Sequence, residues 1–210
     1  LTAVSDWHFE TRPHFLVGGS NITIRAPFGV DTFVNSSPCF YDRFIWQQDK
    51  IIVTQWEKGI GVSGSEHLEY RRESRCGVTI CYDAEFPASG RALAEAGMLF
   101  QCVPSWTETL HGFQRVRWAC QARAVENQVC VVHSSLVGRV GNEESHGSSA
   151  IIVPPHPPFP LNPVLAETPF DEEGVAFAVV DPANLLACRT QGEVRNWLDR
   201  DSGYWTVSVS

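Results

Sequence analysis

The stretch "GVTICYDAEFP" at residues 77–87 places a cysteine where a buried strand gives way to a helix. Its apolar run ends at Cys81, and Pro87 suits the first turn of the helix that follows. The partial positive charge at a helix N-terminus favours a thiolate, so Cys81 is a candidate nucleophile. The acids between them, Asp83 and Glu85, fit as turn and helix-start residues. The pattern also suits a cysteine that is only the last core residue of its strand.

Other apolar runs of strand length alternate along the chain with helical segments. These further runs are 15–18, 51–54, 98–103, 129–133, 149–153 and 175–180, and the helical segments are 87–97 and 112–127. Strands that alternate with helices predict an α/β layered fold whose central strands are buried on both faces. The proline-rich stretch 154–163 is expected to be a surface loop, because proline lacks the backbone donor. No repeat or linker divides the chain, so residues 1–210 are predicted to form a single domain.

Charge and cysteine usage exclude several classes of function. A formal net charge of −8 argues against nucleic acid or an anionic membrane as partner, because both are bound through Lys/Arg clusters. No apolar run reaches the roughly 18 residues of a candidate membrane helix. Seven cysteines without a CxxC pair fit a reducing, cytoplasmic compartment. Zinc-ligand spacings and the GxSxG motif of serine hydrolases do not occur in the sequence.

A lysine and a glutamate are candidates to assist the thiol. The chain has only two lysines, and Lys50 precedes a predicted strand, with Glu57 seven positions later. A cysteine that attacks a carbonyl or nitrile needs a base for its proton and a cation for the developing negative charge. Lys50 and Glu57 could equally be surface charges. A papain-like dyad of Cys81 with His111 or His133 also remains open.

Five ordered blocks resemble the carbon–nitrogen hydrolase (nitrilase) superfamily. The blocks are "DKIIVTQWE" (49–57), "GVTICYDAEFP" (77–87), "VPSWTE" (103–108), "RVRWACQARAVENQVCVV" (115–132) and "HGSSAIIVP" (146–154). The tail "EVRNWLDRDSGYW" (193–205) is most similar to the branch that is sometimes fused to an N-terminal acetyltransferase domain. The resemblance implies a four-layer α-β-β-α sandwich and hydrolysis of a non-peptide C–N bond, in an amide or a nitrile, through a cysteine thioester.

The resemblance also implies roles for individual residues. It makes Cys81 the nucleophile, Lys50 the lysine of the triad and Glu57 the additional glutamate beside it. The backbone N–H of Tyr82 would join Lys50 at the oxyanion, and Glu126 would brace a nearby turn. Residues that shape the substrate pocket in such proteins correspond to Trp106, His133 and Ser134. No metal or cofactor is required, and a homo-oligomer is expected, with the tail from Trp197 as a candidate contact.

One expected residue has no match in this sequence. Family members carry the general-base glutamate upstream of the segment that corresponds to residues 18–20, "GGS", and Glu10 lies too close to that segment to match it. The first strand and helix of the domain are therefore expected to be missing from these 210 residues. The alternative to an active amidase is a catalytically impaired or partial family member that acts as a binding or assembly protein.

Overall fold

The N-terminal part of the described chain forms a four-stranded antiparallel sheet. The computed structural model describes residues 16–17, 21–25, 32–41, 43–72, 74–140, 142–201 and 206–208. The first strands are β1 (Leu16–Val17), β2 (Asn21–Arg25), β3 (Thr32–Tyr41) and β4 (Arg43–Asp49). Strand β3 pairs with each of the other three. Because β4 ends at Asp49, Lys50 is the first residue after a strand.

A six-stranded mixed sheet forms the centre of the molecule. It contains β5 (Tyr70–Arg71), β6 (Cys76–Val78), β7 (Phe100–Ser105), β8 (Cys130–Ser135), β11 (Ala150–Ile152) and β12 (Val164–Glu167), and a separate hairpin contains β9 (Gly138–Val140) and β10 (Glu143–Ser145). The strand order is β12-β11-β8-β7-β6-β5. Strands β6, β7 and β8 run parallel, and the outer strands are antiparallel to their neighbours. The carboxyl ends of the parallel strands therefore share one edge of the sheet.

Four α-helices accompany the sheets in the described part. They are α1 (Gln55–Gly59), α2 (Pro87–Glu95), α3 (Leu110–Asn127) and α4 (Pro182–Gln191). Side-chain oxygens of Thr54, Thr109 and Asp181 cap the backbone N–H groups at the starts of α1, α3 and α4. None of the helices in the described ranges is both long and apolar enough to cross a membrane.

Helices cover both faces of the central sheet. On one face, Leu93 of α2 and Val116 of α3 belong to an apolar cluster with Val131 of β8. On the other face, Leu185 of α4 packs with Cys130. Strand residues buried on both faces explain the continuous apolar runs in the sequence. The predicted α/β class, with a central sheet flanked by helices, is confirmed.

Three of the predicted strands differ in the structure. Residues 51–54 form a bend and the N-cap of α1, because the N–H groups of Ile51 and Ile52 bond to the Asp83 carboxylate and to no neighbouring strand. Residues 175–180 belong to no strand, and Phe177 is 72% exposed. The run 77–82 is shorter as a strand than expected, because β6 ends at Val78. Of the run 15–18, only residues 16–17 lie within the described ranges.

The described start of the C-terminal tail folds back onto its own chain. Three guanidinium groups, of Arg91, Arg189 and Arg200, lie 5.5, 4.4 and 4.1 Å from the centre of the Trp197 ring. The Trp197 backbone N–H donates to the Gln128 side-chain oxygen at 3.0 Å. Cation–π contacts of this kind stabilise the docking of the tail. Trp197 thus contributes to the fold of its own subunit.

Candidate active site

A buried ion pair joins the residue after β4 to helix α1. Lys50 Nζ lies 2.9 and 2.8 Å from the two carboxylate oxygens of Glu57, and both residues are buried. The sequence T-x-x-E forms a capping box, in which the Thr54 backbone N–H donates to Glu57 Oε2 at 2.6 Å and Thr54 Oγ1 accepts the Glu57 N–H. The carboxylate is therefore fixed from two sides, and it fixes the ammonium group. Lys50 and Glu57 are not surface charges.

Cys81 lies at a strained turn beyond the end of β6. It is the first residue of a short 3-10 turn, Cys81–Glu85, and its φ angle is 49°, a left-handed value that is unusual for a residue with a Cβ. The thiol donates to the Trp106 carbonyl oxygen at 3.5 Å. Cys81 lies outside β6, which ends at Val78, and is partly exposed as a residue. It also packs against two apolar clusters of the core, so burial acts on its thiol.

The charges of the ion pair act on the Cys81 thiol. Burial raises the pKa of Cys81; the Lys50 ammonium and the Tyr82 backbone N–H lower it, and the Glu57 carboxylate raises it. Since burial dominates, the thiol is protonated at neutral pH and needs a base before it can attack. The structure thus brings Cys81, Lys50 and Glu57 together, with the Tyr82 N–H at the sulfur.

Asp83 ties the Lys50 segment to the cysteine turn. Its buried carboxylate accepts the backbone N–H groups of Ile51 and Ile52, at 3.2 and 2.7 Å, and that of Ile80 at 3.0 Å. Burial raises the pKa of this carboxyl group, while the three N–H donors lower it. The sequence predicts Asp83 as a turn residue, but its bonds to a segment 31 or 32 positions away depend on the tertiary fold.

Two further glutamates lie beside the cysteine turn. Glu126, at the end of α3, forms an ion pair with Arg123 at 2.8 Å and accepts a hydrogen bond from its Nη2 at 3.4 Å. Arg123 also donates to the Ala84 carbonyl inside the 3-10 turn at 3.3 Å. Glu126 thus contacts the turn through Arg123. Glu85, at the end of the 3-10 turn, forms an ion pair at 3.3 Å with Arg115, whose side chain is largely exposed.

The residues expected to line the pocket differ in exposure. Trp106 follows β7 and is partly exposed, as is Ser134 on β8. His133 is only 1% exposed; its Nε2 lies 2.7 Å from Ser105 Oγ, and its ring stacks on Phe113. Burial, with a smaller contribution from the nearby Arg117 charge, lowers the pKa of His133 to about 3. His133 is thus a neutral, buried histidine at this sheet edge, bonded to Ser105 through one of its two ring nitrogens.

The histidine dyad receives no support from these positions. His111 is exposed on α3, and the ring of His133 is bonded to Ser105. The charged groups that act on Cys81 are Lys50 and Glu57. Within the ranges that the structure describes, no group of three His, Cys, Asp or Glu residues is arranged to hold a metal ion.

Replacing His133 by glutamine is expected to weaken the pH dependence of stability between about pH 6.5 and 3. The folded protein keeps the imidazole neutral, whereas the unfolded chain takes up a proton below about pH 6.5. The stability from this site is therefore complete above pH 6.5 and is lost as the pH falls, by roughly 2 kcal/mol at pH 5. Urea unfolding at pH 7 and pH 5 measures the difference. Equal losses in wild type and variant would contradict it.

The family and the fold follow from comparisons with known proteins. The family model described as carbon-nitrogen hydrolase matches residues 35–190. A probable hydrolase of Bacillus subtilis, YhcX, is 35% identical over 167 residues, which are 76% of this chain and 32% of the relative. A deaminated glutathione amidase of Synechocystis is 29% identical over 142 residues, which are 66% of this chain and 50% of the relative. The chain thus spans between a third and a half of the length of these relatives.

Solved structures share the fold. Nit3 of Saccharomyces cerevisiae, a member of the nitrilase superfamily, matches with a TM-score of 0.70 at 24% identity, over 84% of this chain and 63% of Nit3. A mutant amidase from Nesterenkonia sp. AN1 matches with a TM-score of 0.62 at 20% identity, over 89% of this chain and 66% of the amidase. The expected nitrilase-like fold is confirmed by these matches. Because the family model matches residues 35–190, the chain belongs to the carbon–nitrogen hydrolase family.

Proposed function

We propose that the chain hydrolyses the C–N bond of a small-molecule amide through a thioester on Cys81. The observation that carries this proposal is the buried Lys50–Glu57 pair beside a cysteine at a strained, partly exposed turn. A buried ion pair is costly, and its position next to a nucleophile gives it a catalytic use. Relatives named as amidases support an amide in preference to a nitrile.

The first chemical step is attack by the Cys81 sulfur on the amide carbon. The carbonyl oxygen becomes negatively charged, and Lys50 Nζ and the Tyr82 backbone N–H stabilise it; the loss of one such donor commonly lowers the rate by about 10²–10³. Collapse of the tetrahedral intermediate breaks the C–N bond, and ammonia or an amine leaves with a proton. The acyl group stays on the sulfur as a thioester.

Water then attacks the thioester, which releases the carboxylic acid and restores the thiol. The first step needs a base because burial keeps the thiol protonated in the resting site, and the second needs a base to take a proton from the attacking water. The resemblance assigns this role to a glutamate that none of these 210 residues matches. Within this chain we assign Glu57 to holding Lys50 and to assisting the water in the second step, since its charge acts on the sulfur.

Three further residues have proposed roles around this site. Trp106 and Ser134 are proposed to line the substrate pocket, and Glu126 is proposed to brace the turn through Arg123. His133 is buried and is left out of the pocket. The proposed hydrolysis needs no cofactor. The chain is proposed to act as a single domain and to assemble as a homo-oligomer.

Intact-mass measurement with a panel of simple amides tests the proposal. Wild-type protein that includes the general-base glutamate implied by the resemblance is expected to gain the mass of the acyl group and to release ammonia, because the reaction passes through the thioester. Replacement of Cys81 by alanine should remove the adduct and lower kcat/KM by at least about 10³, since no nucleophile remains. Circular dichroism provides the control that the variant is folded.

The same experiment distinguishes the amidase from a binding or assembly protein. A protein that only binds would form no adduct at Cys81 and release no ammonia with any amide. Turnover that persists in the Cys81→Ala variant would contradict the thioester mechanism itself. Replacement of Cys120, a fully buried cysteine on α3, by alanine is the matched control and should leave the adduct unchanged.

A further inference from the structure

Two tryptophans stand beside the candidate site. Trp56 lies on α1 directly before Glu57, and Trp106 presents its carbonyl oxygen to the Cys81 thiol at 3.5 Å. The centres of the two indole rings are 6.1 Å apart, and the ring planes meet at 76°, the edge-to-face arrangement that aromatic pairs favour. The pair therefore links the helix that fixes the lysine to the loop that contacts the nucleophile.

Each of the two indole side chains has a part that remains available to a ligand. Trp56 is 53% exposed, although it adjoins a glutamate that is only 4% exposed. The Nε1 atom of Trp106 is buried, and no hydrogen-bond acceptor for it occurs in the described ranges. A buried indole N–H normally has an acceptor. The tryptophan pair thus offers a ligand one exposed aromatic face and one unpartnered donor.

We propose that Trp56 and Trp106 form an aromatic wall that selects amides with a planar, aromatic acyl group. A planar ring can pack against the exposed face of Trp56 while the amide carbon faces the Cys81 sulfur. A saturated ring of the same size is thicker and lacks the aromatic quadrupole, so it packs less closely. This substrate class rests on the proposed amide hydrolysis at Cys81, and it makes Trp56 a specificity-determining residue.

The test measures how well two amides protect the Cys81 thiol from iodoacetamide. Benzamide and cyclohexanecarboxamide differ mainly in the planarity of the acyl ring, and peptide mass mapping reports the fraction of Cys81 that is alkylated. We expect half-maximal protection by benzamide at a concentration about tenfold lower than for cyclohexanecarboxamide. Trp56→Ala should remove this preference, and Trp56→Phe should retain most of it.

Trp118 provides the matched control, because it is 66% exposed on α3 and, within the described ranges, no hydrogen bond or ring contact joins it to Cys81, Lys50 or Trp106. Trp118→Ala should keep the tenfold preference. Equal protection by the two amides in wild type, or an unchanged preference in Trp56→Ala, would overturn the aromatic wall. Protection needs no turnover. A preference for benzamide without any acyl adduct would therefore support the aromatic wall and contradict the proposed hydrolysis at Cys81.

Discussion

Replacement of Glu57 by alanine is expected to lower the free energy of unfolding by about 3–5 kcal/mol. The change leaves the Lys50 ammonium buried without its carboxylate, and the side chains of the pair are only 3% and 5% exposed. It also removes the capping contact with the Thr54 backbone N–H. Urea unfolding at neutral pH measures the loss. The same variant should form no acyl adduct at Cys81, because Lys50 is no longer held in place.

A double variant separates two contributions to the free energy of unfolding: the penalty for a buried unpaired charge and the net stabilisation by the ion pair. Lys50→Met with Glu57→Leu removes both charges, and most of the lost stability should return, because a buried pair replaced by apolar groups is often neutral in stability. Arg195→Ala, in an ion pair whose side chains are both 53% exposed, is the surface control, with an expected loss below about 1 kcal/mol. A loss below 1 kcal/mol for Glu57→Ala as well would show that Lys50 reaches solvent.

Replacement of Asp83 by alanine is expected to destabilise the fold by about 3 kcal/mol or more. The variant leaves the N–H groups of Ile51, Ile52 and Ile80 without their acceptor, and each unsatisfied buried group costs about 1–3 kcal/mol. Because these bonds join the Lys50 segment to the Cys81 turn, alkylation of Cys81 by iodoacetamide should also change. Chemical unfolding and the alkylation rate measure the two effects.

Asp83→Asn is the conservative comparison. It keeps one acceptor oxygen but turns a donor toward one of the N–H groups, so its stability should lie between wild type and the alanine variant. If Asp83→Ala unfolds within 1 kcal/mol of wild type, water has replaced the carboxylate and Asp83 does not tie the two segments together.

Most of the central sheet could be predicted from local patterns. The runs around β7, β8 and β11 are apolar because their strands are covered on both faces, and Pro87 marks the start of α2. The run 51–54 has the same composition as a strand and was predicted wrongly. Its N–H groups bond to Asp83, a partner distant in sequence that no local pattern indicates. Strand β3 has no continuous apolar run, because Asn35, Ser36 and Ser37 interrupt it.

Residue identity and short spacing were enough to indicate the family, the α/β class and Cys81 as the candidate nucleophile. The tertiary fold alone places Lys50 in the electrostatic field of Cys81, 31 positions away, and brings Trp56 against Trp106. It also decided that His133 is buried and neutral. Such contacts depend on how strands and helices pack, and burial sets the pKa values, so neither can be read from neighbouring residues.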